Sequence, residues 1–184
     1  MIILWVVIVV VVLYLIIAYN SLVTLKTRSE EAWSDISIQL KRRYDLIPNL
    51  VSSVKSYAKH EKEVFEKVTQ ARVSAMDAKG IKDKEKAENQ LTQTLKSVFA
   101  VAENYPNLKA NENFLALQEE LTDTENKIEA SRRFYNANVR DYNIKIKSFP
   151  SSMIASTFKF EPMNLFEVEA SQKEAIEQAP KVEI

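Results

Sequence analysis

The chain has 184 residues, with one glycine, five prolines and no cysteine. So little glycine and proline leaves scant material for a turn-rich β-fold, so the expected class is all-α, with room for one domain and an appendage. Basic and acidic residues balance at 25 each, which withholds the basic footprint of a nucleic-acid binder, and the missing cysteine excludes disulfides and thiol chemistry.

From Ile2 to Tyr19 the chain reads IILWVVIVVVVLYLIIAY without a charge. At about 1.5 Å per residue such a helix spans roughly 27 Å, close to the hydrocarbon thickness of a bilayer. Residues 1–19 are therefore expected to be a single-pass anchor in the cell membrane. No basic residue stands ahead of the run and no small-x-small cleavage site follows it, which favours an anchor over a cleaved signal peptide. Lys26 and Arg28 follow the span, and the positive-inside rule places the bulk of the chain in the cytoplasm.

Beyond the anchor, apolar residues recur at steps of three and four from Leu22 through Ile36, Leu40, Ile47, Leu50 and Val54 to Val68. This predicts one very long helix that fades near Ala75. Pro48 lies inside it. Leu40, Ile47 and Val54 keep a seven-residue phase across the proline, which favours a bent, continuous helix with the Tyr44 carbonyl deprived of its usual donor over a fresh start capped by Asp45. Gly80 can take the left-handed conformation that closes a helix. A second helix is expected from about Lys84 to Asn104, with Leu91, Leu95, Val98, Phe99 and Ala102 inward, before NYPNLKANENF interrupts it.

The third helix, about Asn111 to Lys147, carries Phe114, Leu121, Ile128, Tyr135, Tyr142 and Phe149 at seven-residue intervals. That repeat asks for nearly parallel helix axes with a left-handed supercoil. The predicted fold is an N-terminal transmembrane helix followed by an elongated antiparallel three- to four-helix bundle over residues 20–160. Thr124, Ser131 and Asn138, between the large residues, are expected to set the bundle register, with a polar ligand cavity as the alternative. Residues 151–163 lose the helical pattern and read as an extended segment along the bundle. Residues 161–184 form an acidic tail, with two cations and six anions, a short polar helix from Glu167 to about Gln178, and a loose end.

Chemistry is hard to place. His60 is the only histidine, and Tyr57 stands where a Glu-x-x-His metal motif needs glutamate. In YAKHEKE it reads as a surface residue. With no second histidine and no glycine-rich elbow, nucleophilic catalysis lacks its parts, and Gly80 alone makes no phosphate loop. The expectation is a non-enzymatic protein without cofactor, metal or nucleic acid. In LKRRYDLIPN the cations are matched by acids within a turn or two, with Lys41 pairing Asp45 and Glu129 pairing Arg133 at i, i+4. Lys41 would also lie roughly 35 Å beyond Ala18 along a straight helix, several screening lengths of about 8 Å from lipid. Lys41, Arg42, Arg43, Asp45, Pro48 and Asn49 thus form the candidate protein-interaction surface. Arg43 stands apart, seven residues after Ile36 and seven before Leu50, a seam position where burial would demand a partner carboxylate. Leucine in its place would stabilise the bundle if the arginine is merely tolerated there.

YNSLV at 19–23, AWSDISIQLKRRYDLIPNLVSSVKSYAKHE at 32–61, AR at 71–72, ENYPNLKANENFLALQEELTDTENKIEASRRFYNANVRDYN at 103–143 and FP at 149–150 resemble the LemA family. The resemblance runs from Tyr19 to about Phe160, and the tail after Phe166 departs from it. It implies a single-pass bacterial membrane protein with an elongated helical-bundle domain, cytoplasmic in the better described members, and no agreed biochemical activity. Some relatives are associated with specialised membrane compartments, a hint of a membrane-organising role. The functional expectation is a membrane-anchored scaffold or protein-interaction module whose partner the sequence does not name, with self-association as its first version. The alternatives are a sensor or ligand-binding bundle and a membrane-shaping component.

Overall fold

The computed structural model describes residues 1–167. They form α1 (Ile2–Tyr57), α2 (Lys62–Asp77), α3 (Ile81–Glu103), α4 (Pro106–Lys109), α5 (Glu112–Lys147) and α6 (Ser151–Thr157), with no strand among the described residues. The chain is an all-α helical bundle whose first helix is long and apolar enough to cross a membrane. Glu167 is not helical, and the rest of the expected tail helix, with the acidic end, lies outside the described residues. Two compact units divide the described residues: 1–38 with 128–165, and 39–127 with 166–167.

In the first unit every side chain from Ile2 to Ile17 is exposed. No charge interrupts them, and a helix satisfies its own backbone, so hydrocarbon is a suitable solvent for this stretch. Protein packing begins at Ala18 and Leu22, which meet Tyr142 of α5 and Ile154 and Ala155 of α6. Further along α1, the Trp33 and Tyr135 rings lie 5.4 Å apart. The irregular run after α6 has no hydrogen-bond ladder of its own, and α5 supplies the partners instead. Asn143 Nδ2 donates to the Met163 carbonyl at 2.8 Å, its Oδ1 accepts from the Met163 N–H at 2.9 Å, and the Tyr135 hydroxyl donates to the Asn164 carbonyl at 2.8 Å.

The second unit packs the end of α1, α2, α3, the short α4 and the start of α5. Contacts pair residue 57 with 111 and residue 42 with 120 and 123, so α5 runs antiparallel to α1 here. Arg72 reaches Tyr44 and Lys84 reaches Ala75, which folds α2 back on α1 and α3 back on α2. Leu50 and Val54 of α1, Val68 of α2, and Leu91 and Val98 of α3 are fully buried between them. Pro106 starts α4 at a position whose missing N–H costs nothing. Leu108 then plugs into the core, and Asn111 Oδ1 caps α5 by accepting the Phe114 N–H at 3.1 Å.

Four expectations need correction. The long first helix ends at Tyr57, and a turn over residues 58–61 separates it from α2. The turn was hidden because Val54, Ala58, Phe65 and Val68, all buried, keep helical steps across most of it. Gly80 has φ 77 and ψ 162, which is not the left-handed helical region, and it precedes α3 rather than closing α2, whose C-cap is Ala78. Phe149, placed on the seven-residue stripe, lies beyond the end of α5 and is 83% exposed. Residues 151–157 are the helix α6, not an extended segment, because Ser151, Ile154 and Ala155 at i, i+3 and i+4 give it a buried face. Only the run after it is irregular.

Burial pushes the Tyr135 phenol up to about 12 from its ordinary 10. The unfolded phenol ionises first, so between about pH 10 and 12 the folded state keeps a proton the unfolded state has lost, and stability falls as pH rises. Burial, with Glu30 and Glu161 nearby, shifts Tyr142 in the same direction. Thermal unfolding of Tyr135→Phe in detergent should show a shallower alkaline loss than the parent, alongside a neutral-pH cost of about 1 kcal/mol for the hydrogen bond to Asn164.

Candidate functional site

Arg43 is 2% exposed, and the second unit is built around it. Its Nη2 donates to Glu88 Oε2 of α3, and its Nη1 donates to Glu125 Oε2 of α5 at 2.7 Å and to the Thr92 hydroxyl at 3.3 Å. The other Glu88 oxygen accepts the Tyr44 hydroxyl proton. Burial works to lower the Arg43 pKa, but Glu88 and Glu125 outweigh it and leave the guanidinium above its ordinary value. Burial, then the Glu88 carboxylate, pushes the Tyr44 phenol well above the usual tyrosine range, so it serves as a neutral donor. Lys84 completes the cluster, with Nζ 5.7 Å from the Tyr44 ring centroid and a 2.7 Å bond to the Ala75 carbonyl near the end of α2.

α1 continues through Pro48 without a break, as the seven-residue phase implies. A proline at 48 removes the N–H that would serve the Tyr44 carbonyl. Arg72 Nε of α2 takes over that carbonyl at 2.7 Å. The guanidinium thus repairs from outside what the proline removes from within.

The six surface candidates separate. Arg43 is interior. Arg42 is half-buried and bridges to α5, with Nη2 to Glu120 at 3.1 Å and Nη1 to Asp123 at 3.3 Å. Lys41 and Asp45 are exposed and pair with each other at 2.6 Å, and Pro48 and Asn49 are exposed. Beside them runs a groove of about 310 Å³ between α1 and α2, lined by Ile47, Pro48, Val51, Ser52, Lys55, Thr69 and Arg72. A neighbouring groove of about 400 Å³ shares Val51, Lys55 and Thr69 and extends to Lys62 and Phe65.

The three register candidates also differ. Thr124 is buried, but its hydroxyl donates to the Glu120 carbonyl of its own helix, and Asn138 likewise serves Phe134. Ser131 is half-buried. Glu120, Asp123 and Glu125 of α5 do make polar contacts to other helices. A cleft of about 260 Å³ opens beside this cluster, lined by Arg43, Thr92, Lys96, Phe99, Glu125 and Asn126 among others, and Thr124 is not part of its wall. Among the described residues, no three histidine, aspartate or glutamate side chains are placed to hold a metal ion, and His60 is exposed.

Glu88 escaped the sequence reading although it left a trace. It stands three residues before Leu91 and seven before Leu95, on the buried stripe of α3, as Arg43 does on α1. Two opposite charges at seam positions of separate helices are the sign of a buried pair.

The LemA family profile matches residues 32–183. Magnetosome protein MamQ 1 of Paramagnetospirillum magneticum is 23% identical over 179 residues, taking in 83% of this chain and 66% of that protein. Magnetosome protein MamQ of Magnetospirillum gryphiswaldense is 22% identical over 178 residues, with 83% and 65% covered. Protein LemA of Metamycoplasma hominis is 28% identical over 160 residues, with 86% and 72% covered. The chain spans just under two thirds of the length of the magnetosome proteins.

With Glu88 facing it, replacing Arg43 by leucine strands a buried carboxylate, so the effect expected from the sequence reverses. Arg43→Leu should cost about 3–5 kcal/mol in chemical denaturation, whereas Arg43→Leu with Glu88→Leu should recover most of that loss. Glu125 is half exposed and can turn to solvent in either variant. A double variant no more stable than the single one would count against Glu88 as the charge that holds Arg43.

Proposed function

Because the chain belongs to the LemA family, we propose that it is a non-enzymatic scaffold, held at the membrane by residues 2–19, that binds protein through the face of α1 around Pro48. The observation that carries this reading is the groove beside Pro48 and Asn49. Its floor is apolar, from Ile47 and Val51, and its rim bears Lys55 and Arg72. An apolar floor with a cationic rim suits a segment with hydrophobic anchors and acidic flanks. The walls are held firm by the Arg72 bond to the Tyr44 carbonyl and by the buried cluster behind it, so little ordering is needed on binding. Two relatives are named magnetosome proteins, which supports a place in an assembly over turnover of a substrate. A second copy of the chain is the first partner to test, and Lys26 and Arg28 after the span support a cytoplasmic position for the rest.

A photo-cross-linking side chain at Asn49 in intact membranes should give discrete adducts, including a dimer, and Lys55→Glu should weaken them several-fold. A chain that yields neither a partner adduct nor a dimer would remove the scaffold reading. Orientation is testable by labelling a unique cysteine with a membrane-impermeant thiol reagent. Gly80 is a poor site for it, since φ 77 with ψ 162 is a region close to glycine-only. Lys79, adjacent and exposed, is suitable. Lys79→Cys should resist labelling in intact cells and react after lysis, and strong labelling of intact cells would place the bulk of the chain outside.

A further inference from the structure

The geometry points to a second membrane contact: α6 and its flanks lie in the interfacial region of the bilayer, beside the end of the span. The inference rests on residues 2–19 entering the membrane, and its new content concerns residues 144–159. Ile154 and Phe158 form one wall of a groove of about 320 Å³ whose other wall is Leu15, Ile16, Tyr19 and Asn20. The Phe158 ring stands edge-on to Tyr19 at 4.8 Å between centroids, and Phe160 does so at 5.8 Å. Leu15, Ile16 and Tyr19 belong to the last turns of the uncharged stretch. Whatever packs against them sits at the depth of those turns, where headgroups meet acyl chains.

The composition of this element fits that depth. Ser151, Ile154 and Ala155 bury one side of α6 against the protein. Ile144, Phe149, Met153 and Phe158 remain more than half exposed, with Phe149 at 83%. Large apolar side chains gathered within a short stretch of chain, from the end of α5 through α6, and left uncovered mark an interaction surface. Its partner is a lipid surface, because the groove is continuous with the span itself and three of its wall residues, Leu15, Ile16 and Tyr19, already lie within the hydrocarbon-length stretch. The aromatic rings suit the interfacial belt. Lys147 and Lys159, both exposed, flank the apolar residues as anchors for anionic headgroups, with Glu161 as the opposing charge nearby. A helix of this kind lies in the interface plane and spans nothing.

The chain has no cysteine, so an environment-sensitive fluorophore can be placed at one introduced thiol at a time in the full chain. Met153→Cys, Val9→Cys in the span and Ser34→Cys would be reconstituted into vesicles of phosphatidylcholine with a minor share of phosphatidylglycerol. Ser34 is exposed and fifteen residues past Tyr19 on the same helix, about 22 Å farther from the membrane. The expected result is blue-shifted emission at Met153, quenching by a spin label carried on lipid, and protection from aqueous iodide, with the reverse at Ser34. Quenching at Met153 by iodide, or protection from both quenchers as under a protein partner, overturns the inference. In either of those cases lipid quenching at Val9 still reports insertion of the anchor, so the two readings fail separately.

Discussion

A guanidinium removed from water must be matched by carboxylate, and in this chain that requirement organises the second unit. Arg43 sits on the inner stripe of α1, where burial of an unpaired charge would cost several kcal/mol. Glu88 answers it from α3 and Glu125 from α5, and Tyr44 binds the second oxygen of Glu88. Three helices are thereby fixed in rotation and in axial position, because a slide of one turn would carry each carboxylate about 5.4 Å away. An apolar seam tolerates such a slide far better, since leucines and valines are nearly interchangeable along it.

The first unit is built differently. Aromatic side chains and backbone bonds carry it: Trp33 against Tyr135, Tyr19 against Phe158 and Phe160, and the Asn143 and Tyr135 bonds to the run after α6. Its polar atoms serve to fasten an irregular segment, whereas those of the second unit serve to register helices. The alternation of large residues along α5 runs through both, with Phe114 and Leu121 in one and Ile128, Tyr135 and Tyr142 in the other. One heptad pattern thus supports two styles of packing.

Much of this was legible in the sequence, for identifiable reasons. The span announces itself by length without charge, and α3 and α5 by unbroken periodicity bounded by proline and asparagine. Continuity through Pro48 followed from the seven-residue phase of Leu40, Ile47 and Val54. What stayed hidden lacked a local signal. The turn at 58–61 contains neither glycine nor proline and leaves the apolar phase intact. Ser151 to Thr157 is rich in hydroxyl residues, and its buried face packs against Ala18, Leu22 and Tyr142, which are distant in sequence. The division of Lys41, Arg42 and Arg43 into one exposed, one bridging and one buried cation depends on 100° of rotation per residue, which sequence supplies. The carboxylates that make the Arg42 and Arg43 positions tolerable lie 45 to 82 residues away and become visible only once the helices are paired.

The bond from Arg72 to the Tyr44 carbonyl makes two helices mechanically dependent. While α2 is docked, Arg72 meets the carbonyl that the proline in α1 would leave without a donor, and the helix continues through it. If α2 lifts away, that carbonyl opens to solvent at the position where α1 has no backbone bond to resist bending. Detachment of α2 and flexing of α1 are therefore a single local unfolding event, and amide protection near Leu46 should rise and fall with that of α2. A proline that looks like a permanent weakness in the helix becomes a conditional one, switched on only by the loss of its neighbour.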